Sequence, residues 1–377
     1  MSDLQNPGGA AEPAVPGGPG GEAAAPVLGG QAATPGLGGQ AAADPAAPAD
    51  PAAPVGPAAP VGRADRLDRV PWGAVALFVV LAMGLAWLAA LPLWLIDRES
   101  AAAQLVASLT PWGVMVTPAI AAVVTMFVTR TPRRERLRFL GMWPLRPAKR
   151  VVWMTVAALF APLLVFALAT AVAALFGWVR LDLVHFSGFV EAQEAALPPG
   201  VDPGILLPPG VLIAIQLALF PILAVIPNSI LGFGEELGWR GWLLPALRPL
   251  GIWPSLLLSG AIWGVWHAPL TLLGHNYGLF DWRGVALMTV NCMIWGVVFG
   301  WLRLRSGSVW PAAIGHGAFN GTGGMILWVI AAGELETLNM ALASVAGVAG
   351  WIVFAVIIAV LALTGQLRRE PELAPRR

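Results

Sequence analysis

Charged residues and cysteine are scarce in this chain of 377 residues. Asp, Glu, Lys and Arg together make up 11% of the chain, whereas 57% of it is hydrophobic, which excludes an ordinary soluble domain. Cys292 is the only cysteine, so an intrachain disulfide is excluded. The formal net charge is only +1, and nothing in the composition indicates a nucleic-acid-binding protein.

Basic and aromatic residues are also absent from positions 1–62, which consist mainly of Ala, Pro and Gly with scattered acidic residues. A segment of this composition buries too little apolar surface to offset the entropy lost when a chain is ordered. We therefore predict a disordered tail over residues 1–65. A transmembrane domain over residues 66–366 and a short cytoplasmic tail over residues 367–377 follow it.

Long apolar runs recur from Val70 onward, each close to the roughly 20 residues that a helix needs to cross a bilayer. The predicted fold class is all-α: a polytopic membrane helix bundle of about eight transmembrane helices behind the disordered N-terminal tail. The predicted spans cover about 70–96, 104–128, 151–179, 211 to the motif at 234–241, 252–274, 284–302, 309–332 and 338–363.

Basic residues cluster in alternate connections between these spans. The connection 130–150 is strongly basic, whereas the connection 180–210 is Pro-rich and carries acidic residues. Basic connections stay on the cytoplasmic side of a membrane. We therefore expect a multi-pass protein of the plasma membrane, embedded in the lipid bilayer, with both termini in the cytoplasm and the connection 180–210 outside.

Two carboxylates and a guanidinium interrupt the apolar sequence at Glu235, Glu236 and Arg240. Ionisable groups at membrane depth are costly, and chains retain them for pairing or for chemistry. On a helix, Glu236 and Arg240 lie four positions apart on one face and can pair, whereas Glu235 points about 100° away from Glu236. A supported active site and a purely structural ion-pair network both fit this pattern.

Two later spans also carry strongly polar residues. His267 follows Trp263 by four positions in the fifth span, and Asn320 follows His316 by four positions in the seventh, so each pair shares a helix face. A single buried histidine usually serves helix packing. Three polar helices can converge in the interior of a bundle, and together they favour a site.

His267 and Glu235 would lie at different depths in the membrane if the fourth helix ended at the motif 234–241. His267 lies about 22 Å into its span, whereas Glu235 lies near the end of its own. We expect the fourth helix to continue past Arg240, which carries Glu235 to the same depth. Four glycines around the motif favour close helix packing there: Gly232, Gly234, Gly238 and Gly241.

A glutamate, two histidines and an asparagine suit the hydrolysis of a peptide bond. A carboxylate beside an imidazole can act as a general base toward water, and a second imidazole with an amide group can donate to the oxyanion. No Gly-x-Ser-x-Gly elbow is present, which disfavours an acyl-enzyme. Zinc bound by Glu235, His267 and His316 remains an alternative, although the His-Glu-x-x-His signature is absent. The residues alone leave both mechanisms open.

The three motifs, taken in order, resemble the CAAX protease and bacteriocin-processing (CPBP, or Abi) family of intramembrane proteases. The pattern of that family is Glu-Glu-x-x-x-Arg, Phe-x-x-x-His and His-x-x-x-Asn on separate membrane helices. The first motif is complete at 235–240 and the third at 316–320. The second has Trp263 in place of Phe before His267, an exchange of one aromatic residue for another. The resemblance covers about residues 151–332.

The resemblance implies a role for each motif residue. Glu235 and His267 would activate water, His316 and Asn320 would hold the oxyanion, and Glu236 with Arg240 would support the site. It also implies a membrane-associated peptide or protein substrate and a site that faces the cytoplasm. Members of the family are often labelled metalloproteases, but the structurally understood ones resemble glutamate-dependent enzymes. The expected cofactor is therefore none, with zinc as the alternative.

Two functions without proteolysis stay open. Histidine, glutamate and arginine at membrane depth also form the proton relays of proton-coupled transporters. A non-catalytic relative would instead confer immunity by binding a membrane peptide or partner. No internal duplication of the spans is visible, which disfavours the transporter.

Overall fold

The structure, a computed structural model, describes residues 67–97, 99–198 and 200–367. The predicted disordered tail over residues 1–65 lies outside the described residues, as does the predicted cytoplasmic tail over residues 367–377 apart from its first residue. The predicted domain boundaries therefore stay predictions.

Within the described residues, all regular secondary structure is helical, apart from one isolated β-bridge between Leu181 and Ile330. This confirms the predicted all-α class. The α-helices are α1 (Trp72–Leu95), α2 (Ala103–Met115), α3 (Thr117–Val128), α4 (Arg133–Phe139), α5 (Ala148–Leu175), α6 (Ser187–Ala195), α7 (Pro209–Leu223), α8 (Ile230–Glu236), α9 (Leu244–Leu247), α10 (Ile252–Trp266), α11 (Ala268–Thr271), α12 (Trp282–Ser306), α13 (Trp310–Thr322), α14 (Met340–Ala343) and α15 (Val348–Leu363).

Six helical segments in the described part of the chain are long and apolar enough to cross a membrane. They are Trp72–Leu95, Ala103–Val128, Ala148–Leu175, Pro209–Leu250, Trp282–Ser306 and Met340–Leu363. The predicted fifth and seventh spans correspond to α10 and α13, which have only 15 and 13 residues. Helices of this length reach about 20 Å, which is short of the roughly 30 Å of a hydrocarbon core. The prediction of about eight spans is compatible with these six segments and the two shorter helices.

The fourth segment, Pro209–Leu250, extends over 42 residues and continues well past Arg240, as expected. Its helical path is interrupted at Ile226, whose backbone is extended at φ −125° and ψ 111°. A residue before proline avoids the helical region for steric reasons, and Pro227 follows here. The stretch Leu237–Leu243 has the wider π-helical winding that is frequent at functional sites.

Glycines let neighbouring backbones approach this segment closely, as predicted. A Cβ atom on Gly238 would lie 2.4 Å from Cβ of Pro118 in α3, and one on Gly234 would lie 2.8 Å from the carbonyl oxygen of Met115 in α2. A glycine also lets α10, the helix that precedes His267, pack closely against α12. A Cβ on Gly264 of α10 would lie 2.3 Å from Cα of Thr289 in α12. Small residues of this kind let membrane helices pack at short distance.

Acidic side chains order the connection between α5 and α7. Asp182 accepts hydrogen bonds from three backbone N–H groups. These bonds, of which that from His185 contributes most, hold the pKa of the Asp182 carboxyl well below its usual range. Arg180 pairs with Glu334, which lies beyond α13. This connection, predicted to lie outside, is therefore tied to the end of the chain segment that carries His316.

Candidate active site

A buried ion pair lies at the centre of the site. Nη1 of Arg240 donates to Oε1 of Glu236 at 2.8 Å, and both side chains are almost completely buried. This confirms the predicted pair across one helical turn. Nδ1 of His316 lies 2.9 Å from the same glutamate oxygen, so α13 contributes to the pair across 80 positions of sequence. Because a carboxylate only accepts, His316 donates from Nδ1 to Glu236.

Aromatic rings enclose the guanidinium of Arg240. Its central carbon lies 4.2 Å from the centroid of the Trp263 ring and 5.4 Å from that of Phe299. A cation over the face of an aromatic ring is stabilised by the ring quadrupole, most strongly where water is excluded. Phe299 also stacks on His316, with 5.6 Å between the ring centroids. These rings, from α10 and α12, enclose the charged groups of the segment Pro209–Leu250 and of α13 in one buried cluster.

Glu235 does not share the Arg240 hydrogen bond, as its position on the helix predicted. Its Oε2 accepts a hydrogen bond from the indole Nε1 of Trp263 at 2.7 Å. Its other oxygen, Oε1, lies 3.8 Å from Nε2 of His316, which is too long for a direct hydrogen bond. Glu235 is only 2% exposed. One carboxylate is thus engaged in a pair, and the other has an oxygen that faces an imidazole.

His267 lies at the end of α10 beside the same tryptophan. Its Nδ1 is 2.9 Å from the backbone carbonyl oxygen of Trp263, four positions earlier. A carbonyl only accepts, so this contact places the proton on Nδ1 and leaves Nε2 as an acceptor. The Sγ atom of Cys292 lies 3.9 Å from the same nitrogen. Among the described residues, no hydrogen bond or ion pair connects His267 with Glu235.

Asn320 lies one turn beyond His316 on α13, two residues before the helix ends at Thr322. It is exposed, and the described part of the chain gives its side chain no hydrogen bond. The structure therefore brings together Glu235, Glu236, Arg240 and His316. It leaves Asn320 at the surface of its helix.

The motif pattern does not reveal the role of Trp263. Trp263 differs from the phenylalanine of the family pattern by more than ring size, because the indole carries an N–H donor that phenylalanine lacks. That donor is bound to Glu235 in the structure. The available signal was the position of an indole on the same helix face as His267.

The donor atoms do not fit the alternative zinc site. Within the described residues, no three His, Cys, Asp or Glu side chains are placed to hold one metal ion. The predicted ligands Glu235, His267 and His316 are not gathered into such a group.

A comparison with curated proteins gave no match. A family model described as Rce1-like, type II CAAX prenyl endopeptidase Rce1-like, matches residues 214–322. These residues contain all three motifs, from Glu235 to Asn320. The match supports an intramembrane CAAX-type endopeptidase that acts on a membrane-embedded peptide. The resemblance seen in the motifs is thereby confirmed by a family model that covers residues 214–322 of this multi-pass membrane protein.

Proposed function

We propose that this protein is an intramembrane endopeptidase in which Glu235 is the general base toward water. The observation that carries the proposal is the division of labour between adjacent glutamates. Glu236 is engaged through Oε1 by the guanidinium of Arg240 and by His316, whereas Glu235 accepts a hydrogen bond only from the neutral indole of Trp263 and keeps Oε1 toward His316. A carboxylate paired with a guanidinium is a weaker base and supports a site, whereas one without such a pair is the better proton acceptor.

In the proposed reaction, the oxygen of water bonds to the carbonyl carbon of the scissile peptide while its proton passes to Glu235. His267, with Nε2 as an acceptor, assists in activating the water. His316 acts here as an imidazolium, which keeps its Nδ1–H bond to Glu236 and donates from Nε2, and this Nε2–H and the amide of Asn320 donate to the resulting oxyanion. The proton on Glu235 then passes to the leaving nitrogen as the carbon–nitrogen bond breaks. The site faces the cytoplasm, on the side of the basic connections.

The arrangement requires that the protein open before a substrate binds. Glu235 is 2% exposed and His316 is 4% exposed, so a peptide cannot reach either residue without separating packed helices. Asn320, on the exposed end of α13, would join the other residues when the bound peptide extends from the surface toward Glu235. Apo sites frequently lack the hydrogen bonds that form in the substrate complex.

The test compares Glu235→Gln with the native protein. The amide keeps the size and the hydrogen-bonding ability of the side chain but cannot take a proton from water. We expect hydrolysis to fall by at least about a hundredfold, while stability and substrate affinity change little. Peptides released from membranes of cells that express either form, identified by mass spectrometry, supply the substrate. Turnover is then measured in nanodiscs.

Glu194→Gln is the matched control, because Glu194 is exposed in the connection between α5 and α7. Its turnover should equal that of the native protein. Normal turnover by Glu235→Gln would remove the proposed mechanism. Proton flux in liposomes that depends on Glu235, without peptide release, would support the transporter instead.

A further inference from the structure

Trp263 makes direct contact with Glu235 through the only hydrogen bond that the described residues provide to that carboxylate. The N–O distance is 2.7 Å, and both side chains are 2% exposed. A hydrogen bond between a neutral donor and a charged acceptor is stronger than one between two neutral groups, and burial removes competing water. This contact is therefore well placed to control where the carboxylate points.

A buried N–H group of Arg240 lacks an acceptor in the same site. Arg240 interacts electrostatically with Glu235, and its Nη2 is buried without a hydrogen-bond partner in the described part of the chain. A buried N–H of a charged group without an acceptor is costly, so this nitrogen favours any carboxylate oxygen that reaches it.

The ring of Trp263 has separate functions that phenylalanine could also provide. It lies under the guanidinium of Arg240 at 4.2 Å and meets the ring of His316 edge-on at 5.4 Å. Its backbone carbonyl accepts from His267 whatever the side chain is. The N–H group is thus the part of Trp263 that binds Glu235 and that phenylalanine would lack.

We propose that Trp263 is a positioning residue for Glu235: its indole N–H fixes Oε2 of the glutamate, so that Oε1 faces His316 and the reacting water rather than the spare nitrogen of Arg240. This inference rests on the proposed role of Glu235 as the base. It adds a residue whose side-chain identity the family pattern does not require.

The test is Trp263→Phe, with Trp266→Phe as its matched control. Trp266 lies on the same helix, is 1% exposed, and donates from Nε1 to Oγ1 of Thr117 at 3.1 Å. Both substitutions remove one indole N–H and the same ring volume. We expect kcat to fall about 10- to 100-fold for Trp263→Phe, with KM changed less than about twofold, because only the base is misplaced. For Trp266→Phe, kcat should stay within about twofold of native.

A second variant separates positioning from packing. Benzothienylalanine, which replaces the indole N–H with sulfur, is incorporated at position 263 and, in a separate protein, at position 266. It keeps the size of the side chain, so the melting temperature should be retained even if Trp263→Phe folds poorly. The variant at position 263 alone should show the fall in kcat.

Three outcomes would overturn the inference. They are native kcat for both position-263 variants, equal losses of kcat at positions 263 and 266, and a loss of kcat that appears only where the melting temperature falls. If Glu235→Gln is inactive while the position-263 variants are fully active, this inference fails and the proposed function stands. If Glu235→Gln turns over normally, the proposed function itself fails.

Discussion

The two ends of the helical segment Pro209–Leu250 are packed very differently. In α7, the first 15 residues, only Phe220 is buried. From Leu237 to Leu247, every residue is buried. The two ends are separated by the break at Ile226. One half of the segment is therefore available to lipid, and the other is surrounded by protein.

This difference shows how the molecule can combine fixed chemistry with access for a substrate. The buried half carries the glutamates and the arginine, and these charges need a dry, rigid surrounding to keep their geometry. The exposed half contacts α13 through a small apolar cluster that includes Phe220 and Ala224 on one side and Ala318 and Met325 on the other. Displacing α7 costs fewer buried contacts than displacing the buried half, so α7 is the part of the segment that can move to admit a peptide.

The largest expected effect is that of Arg240→Ala, at the centre of the buried half. The substitution leaves Glu236 without its 2.8 Å partner in a site from which water is excluded. A buried charge that loses its partner destabilises a protein by about 3–5 kcal/mol. We expect a large fall in melting temperature in nanodiscs together with loss of activity. Arg283→Ala is the control, because the pair of Arg283 with Asp281 is exposed and surface pairs contribute little. Equal melting temperatures for the two variants would contradict the comparison.

Much of this architecture could be predicted from the sequence, and particular residues show where prediction ends. The spacing of Glu236 and Arg240 predicted their pair, because both lie on one helix and the geometry of a helix is fixed. The glycines predicted close packing for a similar local reason. The contact of His316 with Glu236, by contrast, joins residues 80 positions apart and depends on how α13 lies against α8.

Two features could not be predicted, for physical reasons. An apolar side chain in Pro209–Leu250 does not reveal whether it contacts lipid or protein, because lipid tails and the protein interior are both apolar. Asn320 shares a helix face with His316, but spacing does not reveal that α13 ends two residues later and leaves Asn320 exposed. The roles of Asn320 and His267 in the reaction stay predictions.

A comparison of Gly238→Ala with Gly210→Ala tests the same difference in packing, and the expected loss of stability is smaller. In the buried half, a Cβ on Gly238 would lie 2.4 Å from Cβ and 2.7 Å from the carbonyl carbon of Pro118, and this backbone cannot move aside easily. Overpacking of this kind costs about 1–3 kcal/mol. In α7, a Cβ on Gly210 would meet only Phe186 at 3.9 Å, which is ordinary contact. We expect Gly238→Ala alone to lower the melting temperature. Equal effects would show that both halves are packed alike.

The smallest expected effect is that of Leu217→Ala in α7. Leu217 is 44% exposed, so its side chain lies largely against lipid, and lipid chains refill the space that the substitution vacates. Substitutions at such positions change stability by no more than about 0.5 kcal/mol. Leu243→Ala is the matched variant in the buried half, where the side chain is fully buried and a cavity would cost about 2–5 kcal/mol. Melting temperatures and denaturant midpoints of both variants in nanodiscs measure the contrast. A loss for Leu217→Ala as large as that for Leu243→Ala would mean that α7 is covered by protein in the membrane, and a partner chain or a second copy would then have to move before a substrate enters.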